Sequence, residues 1–159
     1  MGAFGFKRAP KSRPASKEGD GPEIRAPLSF PDYRIDTAVG LVSIRFTGKL
    51  TFSDIVNYVS CLRADPRFNP TFAEIVDLRQ VESVELSARE TMDLADQVDP
   101  FSFDSKRAFV AQSQAQIRAA HLHRILRTES KTIHVFLSIE EARKWIGCVP
   151  DLSDTKPGI

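Results

Sequence analysis

The segment Leu41–Thr47 alternates. Val42, Ile44 and Phe46 share one parity and Ser43 and Arg45 the other, the period of two expected of a strand with one buried face. Tyr33–Ala38 precedes it across Val39-Gly40, so the pair predicts a hairpin closed by a tight turn. The period then changes. Phe52, Ile55, Val56, Val59 and Leu62 lie at helical spacing and form one apolar stripe. Thr51 is a natural N-cap with Asp54 at N3, Leu50 and Ile55 can close a hydrophobic staple, and Asp65-Pro66 ends the helix.

Strand and helix signals alternate from there. Phe72–Leu78 predicts a strand, while the following "QVESVEL" fits a short strand, a helical turn or a loop. Ser87 and Glu90 match a capping box that opens a helix to about Val98, with Ala88, Met92, Ala95 and Val98 inward and Pro100 beyond its end. Ala108–Ala111 lacks polar residues and reads as a strand covered on both faces. Ser113 and Gln116 open a helix to about Thr128, and Thr132–Leu137 reads as a strand. Ser138 and Glu141 open the last helix, which reaches Ile146 and meets Gly147. The order β-β-α-β-α-β-α-β-α predicts an α/β fold: a small mixed, mostly parallel sheet starting with a β-hairpin, with right-handed crossovers and four helices.

Composition sets the limits of that domain. Residues 1–30 are rich in Pro, Ser, Gly and basic side chains and have little to bury, so a disordered tail is expected. Residues 31–149 form the predicted domain and 150–159 a flexible C-terminus. No apolar run is long enough for a transmembrane segment, and the N-terminus lacks the apolar region of a secretory signal, so a cytoplasmic protein is expected.

The formal net charge of +1 argues against a dedicated nucleic-acid binder. Charge is nevertheless segregated. Glu82–Asp99 holds six acidic residues against Arg89, and Lys106–Lys131 holds six basic ones against Glu129. Those two regions can face each other, steer a partner, or bring two copies together as a homodimer. The basic helix lacks interleaved aromatics, which weakens a nucleic-acid reading further.

Candidate chemistry is sparse. No phosphate-binding loop, dinucleotide fingerprint, zinc-protease motif or nucleophile elbow is present, so no catalytic residue, cofactor or metal is assigned. His121 and His123 lie two apart on a helix and point to different sides, and His134 on a strand reads as a packing residue. Cys61 and Cys148 have no paired spacing and read as small apolar residues. Helix N-termini gather beyond the carboxyl ends of parallel strands, where free N–H groups can hold anions. That edge would collect Asp77, Arg79, Ser87, Gln112, Ser113 and Ser138 as a ligand or anion surface. The same serines are explained by capping alone, and Asp77 with Arg79 by a local ion pair.

The hairpin start, "ADPRFNPTFAEIVDLRQV", "KRAFVA" and the closing "EEARKWIG" together resemble the bacterial SpoIIAA-like (STAS-like) family over about Pro31–Gly147. The resemblance implies a non-enzymatic regulatory module that binds a protein partner. In anti-sigma-factor antagonists of this class, a strand ending in Asp-Leu leads to an Asp-Ser-Ser-Gly helix start. The second serine there is phosphorylated by a partner kinase. Asp77-Leu78 matches the strand end, and Glu85-Leu86-Ser87-Ala88 falls at the switch, where only Ser87 is identical. Ser87 is thereby the candidate phosphoacceptor. The fold also resembles Sec14-type lipid-binding domains, which implies, as an alternative, a small-molecule or lipid pocket at the strand carboxyl edge.

Overall fold

The computed structural model describes residues 30–127 and 131–148; the expectations for the basic tail and for residues 150–159 lie outside them. Five strands form one sheet in chain order: β1 (Asp32–Asp36), β2 (Leu41–Thr51), β3 (Ala73–Glu85), β4 (Arg107–Val110) and β5 (Ile133–Phe136). β1 is antiparallel to β2, and the other three pairings are parallel. The helices are α1 (Phe52–Ala64), α2 (Ala88–Asp93), α3 (Gln114–Leu126) and α4 (Ile139–Ile146), and a π-helical turn, Leu94–Val98, continues α2. None is long and apolar enough to cross a membrane among the described residues.

The order of strands fixes where the helices go. Crossovers that step in one direction with one hand place their helices on one face. Tyr58, Val59 and Leu62 of α1 and Ala120 of α3 accordingly share a core with Val42, Ile44, Val76 and Phe109. Only α4 covers the opposite face, where Ala142, Ile139 and Trp145 pack on Leu41, Ile75, Ala108 and Val110. Among the described residues nothing covers the β1–β2 half of that second face.

Local signals explain most boundaries. Thr51 and Asp54 form the reciprocal capping box of α1. Ser113 and Gln116 do the same for α3, and Gly147, with φ 93°, ends α4 in the left-handed conformation. All four residues of β4 are buried.

Three expectations change. The hairpin loop is the four residues Thr37–Gly40 rather than a two-residue turn, with the Asp36 carboxylate accepting from Ala38 and Val39 N–H. The unassigned "QVESVEL" belongs to β3, which pairs with an equally prolonged β2 as far as Thr51 and Glu85. Register shifts near Arg45–Thr47 and Gly48–Lys49 break the period of two there, which hides both strands from a pattern reading. On α2, Ala88 and Met92 are exposed and Thr91 takes the inward position. Its hydroxyl donates to the Ser87 carbonyl at 2.9 Å, so a polar residue is buried without an unmet hydrogen bond.

Candidate functional site

The β3–α2 crossover carries Ser87. Its hydroxyl accepts from Glu90 N–H at 3.2 Å, and the Glu90 carboxylate accepts from Ser87 N–H at 2.8 Å. Those hydrogen bonds hold the exposed Glu90 carboxyl below its usual range. Ser87 itself is exposed, and so is the Met92 side chain on the same short helix.

The other strand-end residues meet around Gln116. Its side-chain carbonyl accepts from Gln112 and Ser113 N–H, and its amide donates to the Val81 carbonyl at 2.8 Å. Gln112 reaches the Leu137 carbonyl next to Ser138, whose hydroxyl caps α4. Asp77 pairs with Arg79 at 2.9 Å and with Arg45 at 3.6 Å. Burial pushes the Asp77 carboxyl up, but Arg79 outweighs it and the net direction is down. Ser87 stands apart from this group: the strand residues Gln80–Glu85 separate it from Arg79, about 20 Å of extended chain. At α2 and α3 the N-cap and N3 N–H groups are met within the capping boxes. The residues predicted to form one anion surface thus fall into two groups, and each capping box uses part of its helix's donors internally.

A second centre lies between the sheet and the helices α1–α3, and the pattern reading did not contain it. A partly open cavity of about 100 Å³ is lined there by apolar side chains such as Phe46, Leu50, Val76, Leu78, Leu94 and Phe109. It sits on the face of the sheet, under α2 and the π turn, rather than at the strand edge.

A buried ionic network makes its floor. Arg107 donates to Glu74 at 2.7 Å and pairs with Asp99; Arg127 pairs with Asp99 at 3.2 Å; the Tyr58 hydroxyl donates to Glu74 at 2.8 Å. His123 Nε2 lies 3.2 Å from the Arg107 guanidinium. Burial and Arg107 lower the His123 pKa against the pull of Asp99, so the neutral ring accepts from Arg107. Burial raises Asp99, while His123, Arg107 and Arg127 lower it further, for a net fall. Burial pushes the Tyr58 hydroxyl well up, with Glu74 adding to it. No buried side-chain polar atom lacks a partner among the described residues, so the network offers a ligand an already satisfied floor.

His121 is exposed, and His134 stacks on Trp145 with centroids 4.6 Å apart. Cys61 and Cys148 are free and half-buried. Among the described residues no group of three or more His, Cys, Asp or Glu is placed to hold a metal ion.

No protein-family model matches the chain, and no curated protein matches it. Two solved structures are similar. One is an uncharacterized protein of the DUF3478 family with a SpoIIAA-like fold from Shewanella loihica PV-4, at 16% identity and TM-score 0.50, covering 73% of this chain and 91% of that one. The other is an anti-sigma factor antagonist from Mycobacterium paratuberculosis, at 19% identity and TM-score 0.51, covering 77% of this chain and 97% of that one.

Proposed function

We propose that this SpoIIAA-like fold serves as a non-enzymatic regulatory module that acts by binding another protein through the exposed side of α2. The fold supports the reading, since one neighbour is named for antagonism of an anti-sigma factor, an action on another protein. The observation that carries it is the β3–α2 crossover, where Ser87 at the cap and Met92 on the helix are both exposed. Ser87 is the candidate phosphoacceptor. A phosphate there meets helix N–H groups and the dipole favourably, but it displaces the Glu90 carboxylate and meets Glu85. Phosphorylation would therefore remake the start of α2 rather than only add charge to it. A photo-crosslinking residue at Met92 tests the reading in the native cell. One discrete adduct from Met92, with none from the exposed Val39 on the hairpin loop, is expected; identical adducts from both positions would count against it.

The cavity favours a second reading, a binding site for a small apolar molecule. Its volume of about 100 Å³ exceeds the ~10–15 Å³ needed by one water, and falls well below the ~300 Å³ where drug-sized ligand sites begin. A short hydrocarbon segment fits and a whole lipid does not. Native mass spectrometry of the purified protein would show a bound small molecule that Ala119→Leu, which fills the cavity wall, removes. Wild-type protein at its bare mass would sink this reading.

A further inference from the structure

The open half of the sheet carries a groove that none of the sites above uses. It has a volume of about 290 Å³ and is bounded by β1, β2, β3 and the edge of α4. Register explains its chemistry. Asp32 stands opposite Arg45, and Arg45 opposite Asp77, so one row across the sheet alternates in charge, and Arg79 on Asp77 brings the sum of these four charges to zero. The next row places Arg34 opposite Ser43 and Ser43 opposite Ile75. Arg143 enters from α4 on the far side. Asp77 has its own partners in Arg45 and Arg79, whereas Arg34 and Arg143 have no ion-pair partner among the described residues.

We propose that this groove binds a small organic phosphate monoester. Two guanidinium groups without an ion-pair partner among the described residues, one from a strand and one from a helix, line the groove with the Ser43 hydroxyl. Guanidinium forks suit an anion with several oxygens. A dianion would neutralise both charges, which one carboxylate cannot. The Ile75 floor and the Ile139 wall supply an apolar rest for the organic part. The floor is rigid, because Ile75 belongs to the core under α4, so the groups are held in place before any ligand arrives. The volume lies at the small end of the range for ligand sites, which limits the occupant to a compact one.

Phenyl phosphate is the probe, titrated into the full chain while backbone amide and arginine Nε–H resonances are followed by NMR. Saturable shifts at Ser43, Arg34 and Arg143 are expected, tighter than for inorganic phosphate or benzoate. Arg34→Gln and Arg143→Gln should each weaken the affinity about tenfold, about 1.4 kcal/mol. Arg118→Gln, on the exposed side of α3, should leave it unchanged. Shifts that do not saturate, or that Arg118→Gln reduces equally, would overturn the site as unspecific charge attraction. Benzoate binding as tightly as phenyl phosphate would overturn the phosphate assignment. Both arginines are exposed, so the variants should keep the wild-type amide spectrum outside the groove.

Discussion

Arg107 is the side chain on which the interior most depends. Its guanidinium is buried between Glu74 and Asp99 and lies over the Phe101 ring, 4.9 Å from its centroid. Replacing it with Met leaves the buried Glu74 without its cation and Asp99 with Arg127 alone, which costs about 3–5 kcal/mol. Urea unfolding should show a fall in midpoint of that order, and an unchanged midpoint would mean that water reaches the site. The network also sets the response to acid. His123 and Asp99 both bind protons less readily folded than unfolded, so acid favours the unfolded chain. The His123 contribution is complete above about pH 6.5 and the Asp99 contribution above about pH 3.9, and each is lost as pH falls below those values. His123→Gln keeps an acceptor for Arg107 and should flatten the loss below about pH 6.5. Equal slopes in variant and wild type would assign that loss elsewhere. Little of this was legible in the sequence. Glu74 and Arg107 each border an apolar strand, but only the pairing of β3 with β4 sets them side by side.

The elements themselves were better marked. Caps and stripes placed α1, α3 and α4, because those signals lie within a few residues of one another. The far halves of β2 and β3 were hidden for the opposite reason: their strand character comes from pairing across the sheet, and two register shifts remove the alternation that would reveal it. The capping box at Ser87 was legible, whereas the exposure of Met92 was not, since Thr91 displaced Met92 from the inward side. Ser87→Ala removes the N-cap acceptor and should cost about 1 kcal/mol, measured as a fall in the denaturation midpoint. Gly40 makes a sharper demand. Its φ is 67°, and a Cβ there would lie 3.3 Å from the Phe72 ring. Gly40→Ala should destabilise by about 1 kcal/mol or more; a neutral result would show that the loop and ring shift freely.

At the scale of the whole molecule, one face of the sheet holds the main core and the other is half covered among the described residues, so surface and interior divide the work. The interior keeps its charges paired; the surface presents the acidic α2 side and the open arginine groove. The charge segregation was legible from the sequence, and the placement of three helices on one face followed from strand order. Neither revealed the groove, which exists because α4 covers only half of its face. The central claim concerns the α2 side, and co-elution from the native cell tests it most directly. Wild-type protein and Met92→Lys, each expressed at its native level, would be passed over a sizing column after gentle lysis. Wild type is expected to elute with one partner in fixed ratio, and Met92→Lys, folded by its amide spectrum, to elute alone. Elution of both as the bare chain, or of both with the same partner, would contradict the central claim.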